Sequence, residues 1–146
     1  MSDLTFHRII AGIMLCILVA YNIICHIFGS EIQMGLQEDQ REVFRTVMYA
    51  IAIVLFPLVN VLRHILLKLN QTMPGRDSAK SRYLITTIVT LACIEVVGLF
   101  GLLMFLFGDD FNTLYIFTAL GVLGIFLHRP REEEYQQIID GMSVRE

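Results

Sequence analysis

The sequence predicts an all-α integral membrane protein with four antiparallel transmembrane helices, arranged as two hairpins. Of its 146 residues, 55% are hydrophobic and only 17% are charged, whereas about a quarter of the residues in a soluble domain are charged. The mean hydropathy is +0.65, and the apolar residues form long runs without a polar face. These observations exclude a soluble enzyme domain. The net charge of −3 argues against a nucleic-acid binder, which carries a concentrated basic surface.

The first predicted span covers residues 9–28. This run is longer than the roughly 7–15 apolar residues of a signal peptide, and no A-x-A cleavage site follows it. We therefore predict a retained transmembrane helix rather than a secretory signal. Cys16, Cys25 and Cys93 lie in apolar runs. An odd number of cysteines without a close pair predicts neither a disulfide nor a metal or redox site.

The second predicted span covers residues 46–62, and its helix is expected to continue to residue 69. Residues 70–75 then end the helix because they include Asn, Pro and Gly. Three basic residues of the extension are expected to snorkel toward the lipid head groups: Arg63, His64 and Lys68.

The third and fourth predicted spans cover residues 83–107 and 111–127. Gly108, Asp109 and Asp110 separate them, and we predict a tight turn there because two adjacent carboxylates do not stay in hydrocarbon. The transmembrane domain thus occupies residues 1–128.

Residues 129–146 are predicted to form a short amphipathic tail on the cytoplasmic side. Pro130 suits a first helical position, and three glutamates follow it at the positive end of the helix. Tyr135, Ile138 and Ile139 would form one apolar stripe. This stripe is expected to pack on the bundle itself, with docking of another subunit as the alternative.

Charge predicts the orientation. Nine of the eleven Lys and Arg residues fall on one side of the predicted spans. They are Arg8, Arg63, Lys68, Arg76, Lys80, Arg82, Arg129, Arg131 and Arg145. Only Arg41 and Arg45 fall on the other side, beside several carboxylates. The positive-inside rule then places both termini in the cytoplasm, and the protein in the cytoplasmic (inner) membrane.

Glu95 lies at the midpoint of the third span, with twelve residues on either side. A carboxylate at the bilayer centre costs about 2.5–3.5 kcal/mol, so such a residue is a candidate functional site. Burial favours its neutral form. Asn22 lies at the same predicted depth and is a candidate to accept a hydrogen bond from Glu95. A second candidate is the Ile53 carbonyl, because Pro57 has no N–H to bond it. Glu95 could exchange a proton or simply bond neighbouring helices together.

Small residues surround this position. Ala92 and Gly98 share the helix face of Glu95, and Gly101 follows one turn later. Small residues let helix backbones approach closely in membranes, so Glu95 is predicted to face protein rather than lipid. Small residues of the other spans fit the same interpretation: Gly12, Cys16, Ala20, Gly121 and Gly124.

The stretch from Ala92 to Leu103 resembles the carboxylate-bearing helix of the proteolipid (c-type) subunits of rotary ATPases. The pattern is a small residue three before the glutamate, then Gly98, an apolar residue, Phe100, Gly101 and aliphatic residues. Because the last helix is short and ends in Arg-Pro-Arg, the chain also looks like small bacterial membrane proteins with four helices.

The resemblance implies that Glu95 binds a proton or sodium ion and that copies assemble into a membrane ring. Val96 and Val97 replace polar positions that help hold sodium, which favours a proton. The chain departs from the family in other ways. The second helix has no glycine, Ile94 replaces a frequent proline, and an extra helix follows the glutamate helix.

Other chemistry finds little support in the sequence. Haem ligation by two histidines needs a pair at one depth, and His26 has no such partner. The acidic stretch 38–42 could attract divalent cations, but a solvated helix start explains it better. We therefore predict no cofactor, no metal site and no enzymatic activity.

The predicted role is a small membrane subunit that assembles with itself, with Glu95 as a proton-binding carboxyl. One alternative is an accessory subunit of a larger membrane complex, in which Glu95 is a neutral packing contact. A small transporter or membrane enzyme is a third possibility. The predicted partners are the lipid bilayer and other membrane subunits, and no nucleic acid.

Overall fold

The computed structural model describes residues 3–144, and all regular structure in this part of the chain is helical. The five helices are α1 (Asp3–Phe28), α2 (Glu38–Thr72), α3 (Ala79–Leu106), α4 (Phe111–Leu127) and α5 (Glu132–Ser143). A short 3-10 turn, Gly29–Glu31, follows α1. The predicted all-helical class is confirmed.

Three helices, α1, α2 and α3, are long and apolar enough to cross a membrane. Helix α4 has 17 residues, about 25 Å at 1.5 Å per residue, against a hydrocarbon thickness of about 30 Å. Helix α5 follows it at a bend of 44°, and the two helices together are long and apolar enough to form one span. Residues 3–144 therefore contain three or four candidate membrane spans.

Helix α2 is longer than predicted. It begins at Glu38 instead of residue 46 and runs through Pro57 to Thr72, for 35 residues. Glu38 and Asp39 in its first turn favour this earlier start because carboxylates stabilise the positive end of a helix. This start agrees with the interpretation of the acidic stretch 38–42 as a solvated helix start, and it leaves residues 29–37 between α1 and α2.

Helix α3 is the centre of the bundle and packs against α1, α2 and α4. Half of its apolar stretch is buried, against 17% in α1 and in α2. The Ser78 side chain caps its first turn by accepting a hydrogen bond from the Ser81 amide at 3.3 Å. The predicted turn after α3 is present: Gly108 has φ +96°, and Asp110 caps α4.

The two ends of the bundle differ. At the end that holds the α1–α2 and α3–α4 connections, here called the hairpin end, Arg41 donates to the Gly108 carbonyl at 2.8 Å. Arg45 pairs there with buried Asp109 at 3.0 Å. The opposite end, here called the terminal end, holds residues 4–8, 63–83 and 128–144, and all the described parts of the two termini lie there.

The tail helix folds back on the terminal end. Tyr135 and Ile138 of α5 are buried against Leu4 and Tyr83. The apolar stripe therefore packs on its own bundle, as expected. Helix α5 begins at Glu132 with Arg131 as its N-cap. Pro130 therefore precedes the helix instead of opening it, contrary to the prediction.

Candidate functional site

Glu95 lies in a shallow groove between α1 and α3, on the outer surface of the bundle. The groove has a volume of about 280 Å³. Apart from Glu95, its lining is apolar except for one tyrosine, and it consists of Met14, Ile17, Tyr21, Ala92, Val96 and Leu99. Helices α2 and α4 contribute nothing to it. The groove is therefore a place where a further helix could pack.

The carboxyl group of Glu95 has no hydrogen-bond partner among residues 3–144, and both of its oxygens are buried from solvent. No Lys, Arg or His lines the groove. An ionised carboxylate without a cation or hydrogen bonds is costly in such surroundings. The arrangement therefore favours a neutral carboxyl.

The structure does not bring Asn22 or Pro57 to Glu95. Asn22 donates from Nδ2 to Thr118 Oγ1 at 2.8 Å and to the Leu18 carbonyl at 3.0 Å. It therefore links α1 to α4. Pro57 lies on the exposed face of α2, and α2 does not line the groove.

The three small residues near Glu95 separate into two roles. Ala92 is exposed and lines the groove. Gly98 is buried against Leu18 of α1, whose side chain fills the place of a Cβ atom. Gly101 is buried against α4, where an added Cβ would lie 2.9 Å from Phe117 Cβ. Only Ala92 shares the groove with Glu95.

Tyr21 is the polar side chain of α1 that lines the same groove as Glu95. Asn22 was selected because its predicted depth in the membrane matched that of Glu95. That depth was right for α1, but Asn22 lies on the wrong face of the helix. Adjacent residues of a helix point about 100° apart, so Tyr21 faces the groove while Asn22 faces α4. The sequence does not specify the rotation of α1 about its axis relative to α3, because this rotation is set by tertiary packing.

A second polar cluster, which the sequence did not reveal, lies at the terminal end. Arg63 is buried and pairs with Glu134 of α5 at 2.6 Å. It also donates to Thr90 Oγ1 at 3.0 Å and to the His128 carbonyl at 2.9 Å. The predicted snorkelling of Arg63 toward the head groups is therefore wrong, because the guanidinium finds its partners inside the bundle.

Tyr83 and His128 complete this cluster. The Tyr83 hydroxyl donates to Glu134 Oε2 at 2.8 Å and accepts from the Arg131 amide at 2.8 Å. The His128 ring contacts the Gly124 carbonyl at 2.9 Å and Asn60 Oδ1 at 2.7 Å. Burial lowers the pKa of His128. These bonds satisfy the cluster internally and tie α5 to α2 and α3, which indicates a structural role.

Over residues 3–144, no group of three or more His, Cys, Asp or Glu side chains has the geometry of a metal site. The Glu95 groove is therefore the candidate functional site, since its carboxyl is the acidic group that the fold shields and leaves unpaired.

Three comparisons, with protein family models, with curated proteins and with solved structures, give no match to this chain.

Proposed function

We propose that the chain is a small, non-enzymatic integral membrane subunit. It crosses the cytoplasmic membrane four times with both termini in the cytoplasm, and it assembles with further copies through the α1–α3 groove. In that assembly Glu95 binds and releases a proton near the middle of the bilayer. The observation that carries the proposal is the unpaired Glu95 carboxyl in a groove on the outer surface of the bundle.

The charges at the two ends of the bundle support the orientation. The terminal end carries eight of the nine basic residues counted on that side, and Arg145 lies outside the described residues. The hairpin end carries Arg41 and Arg45, and both are engaged, with the Gly108 carbonyl and with Asp109. Basic residues are thus concentrated at the terminal end, which the positive-inside rule assigns to the cytoplasm.

The fourth crossing rests on α4. This helix packs along α3 and α1, so it follows them through the same layer. Its 17 residues are within the range of about 17–25 that span a bilayer. Buried Asp109 at one end and the Arg63 cluster at the other then lie near the two boundaries of the hydrocarbon.

The groove supports self-assembly because its exposed wall is made of small and aliphatic side chains that another helix could contact. Ala92 leaves room for close approach, which is the usual basis of helix association in membranes. A second copy that covered the groove would enclose Glu95 between two bundles. Its carboxyl could then transfer the proton to water or to a basic group that the neighbouring surface supplies.

Carbodiimide labelling tests the proposal, since dicyclohexylcarbodiimide reacts with protonated carboxyls in apolar surroundings. In native membranes we expect one label per chain, at Glu95, and slower labelling as the pH rises. Glu95→Gln should abolish the label, whereas Glu31→Gln, which alters an exposed carboxyl, should retain it. Absence of label on Glu95 in native membranes would overturn the proton-binding role.

The mass of the gently solubilised assembly tests the other half of the proposal. We expect a complex of several copies of the 16.7 kDa chain. Ala92→Phe should fill the groove and dissociate the complex. Ile53→Phe, which adds the same ring on the exposed face of α2, should leave it intact. A monomer, or a complex unaffected by Ala92→Phe, would overturn assembly through this groove.

One observation favours a second candidate function, an accessory subunit in which Glu95 is a permanent neutral packing contact. Within residues 3–144, no basic side chain lines the groove, and Tyr21 is the one polar side chain that lines it together with Glu95. In that case the complex would contain other proteins, and Glu95→Gln would preserve both assembly and function, because an amide also donates and accepts hydrogen bonds.

A further inference from the structure

A second groove lies between α1 and α4 and opens at the terminal end. It has a volume of about 560 Å³ and is lined by apolar side chains except at its mouth. Arg8 of α1 and Arg129, just after α4, form the mouth. The groove lies on another face of α1 than the Glu95 groove, since the two share no lining residue.

The two arginines carry uncompensated charge. Neither Arg8 nor Arg129 forms an ion pair with another residue of the range 3–144, and no Asp or Glu lines the groove. The guanidinium carbon of Arg129 lies 4.4 Å from the centroid of the Phe126 ring. This cation–π contact holds the group over the apolar wall with its N–H donors at the edge of the plane.

Gly12 creates the space below the mouth. A Cβ atom added at Gly12 would meet nothing within 4 Å, in contrast to the tightly packed Gly98 and Gly101. From Arg8 to Leu15 the apolar floor extends for about 10 Å along α1. The groove therefore combines a positively charged mouth at the bundle end with an open apolar channel directed toward the bundle middle.

We propose that this groove binds one anionic phospholipid, with its phosphate held by Arg8 and Arg129 and an acyl chain lying along Gly12. The inference rests on the proposed membrane topology, which places the mouth at the cytoplasmic head groups. Guanidinium groups bind phosphate oxygens in pairs, and basic pockets between helices on this side of a membrane suit anionic head groups. A zwitterionic lipid brings its own cation near the arginines and binds less well.

A tryptophan reporter can test the site because the chain contains no Trp. Phe126→Trp places a single indole in the groove wall and keeps an aromatic ring under Arg129. The full-length variant is reconstituted with brominated phosphatidylglycerol or brominated phosphatidylcholine, and quenching of the fluorescence reports the lipid that contacts the groove. We expect the anionic lipid to quench at a much lower mole fraction.

Substitutions identify the determinants. Arg8→Gln and Arg129→Gln should each reduce the preference for the anionic lipid about fivefold, and the double variant about twenty-fivefold. A matched control, Lys68→Gln with Arg76→Gln, removes the same charge from exposed positions at the same end and should retain the preference. Gly12→Phe should fill the channel and reduce quenching by both lipids.

Other outcomes separate the two proposals. Equal quenching by both lipids, or an unchanged preference in the double arginine variant, would overturn the lipid site and leave the topology intact. An indole shielded from both lipids would also overturn the lipid site, because a protein surface would then cover the groove. Quenching by aqueous iodide in place of either lipid would overturn the membrane placement itself, and the proposed function with it.

Discussion

At the scale of single residues, burial decides what the charged groups of the terminal end do. Arg63 and Glu134 are far apart in sequence, and each by itself would be solvated or held among head groups. In the fold they form a largely buried pair at 2.6 Å with further bonds to Thr90 and Tyr83. Removing one partner of such a pair is costly because it leaves a buried charge uncompensated.

His128 makes the stability of this cluster depend on pH. Burial is the main cause that lowers its pKa below 6.5. Arg63 and Arg131 lower the pKa further, while the bond to the Gly124 carbonyl and the charge of Glu134 raise it. On acidification, the unfolded chain therefore takes up the His128 proton first. The contribution of this group to stability is fully present above about pH 6.5 and is lost as the pH falls below that value.

The expected result is a melting temperature in detergent that falls between pH 6.5 and pH 5, with a smaller fall for His128→Gln. His64→Gln serves as the control because His64 is exposed, and its profile should match that of the unaltered chain. Identical profiles for His128→Gln and the unaltered chain would contradict the assignment.

At the scale of elements, Leu18 joins three helices. Its side chain, fully buried, lies in the space that a Cβ at Gly98 of α3 would occupy. Its Cδ1 atom also lies 3.0 Å from the position of a Cβ at Gly121 of α4. Leu18 thus fits a hole formed by two glycines. The spacing of α1, α3 and α4 depends on this fit.

We expect Gly98→Ala to destabilise the bundle by about 1–3 kcal/mol, the usual cost of overpacking a filled core. In the double variant Gly98→Ala with Leu18→Ala, the loss should be smaller than the sum of the two single losses, because the smaller side chain at position 18 removes the clash. Gly12→Ala, at a glycine with open space, should be nearly neutral. Thermal unfolding in detergent compares the three, and equal stability of Gly98→Ala and Gly12→Ala would exclude the proposed fit.

At the scale of the whole molecule, the two ends differ in charge and in construction. The hairpin end is closed by residues 32–37, where the Met34 amide donates to the Leu106 carbonyl at 2.6 Å, and by the Arg45–Asp109 pair. The terminal end is thicker, since the last turns of α2 extend past the apolar stretch and pack with α5. This shape gives the molecule a compact hairpin end and a larger terminal end.

Cysteine labelling tests that orientation. After Cys16, Cys25 and Cys93 are replaced by Ser, single cysteines are placed at exposed positions, Gln37→Cys at the hairpin end and Asp77→Cys or Gln137→Cys at the terminal end. In intact bacterial cells a membrane-impermeant maleimide should label position 37 alone. The other two should react only after permeabilisation, and the reverse pattern would invert the topology.

The amino-acid sequence was enough to predict the helical class, the long apolar helices α1, α2 and α3, the α3–α4 turn at Gly108 and the position of Glu95 inside α3. Hydropathy, helix breakers and charge act locally along the chain, so one sequence suffices to read them. The folded structure was needed to show that Tyr21 rather than Asn22 shares the groove with Glu95, that Leu18 packs on Gly98, and that Arg63 pairs with Glu134. These contacts depend on the rotation and offset of one helix against another, and a helix with apolar residues on every side carries no pattern that fixes either of them.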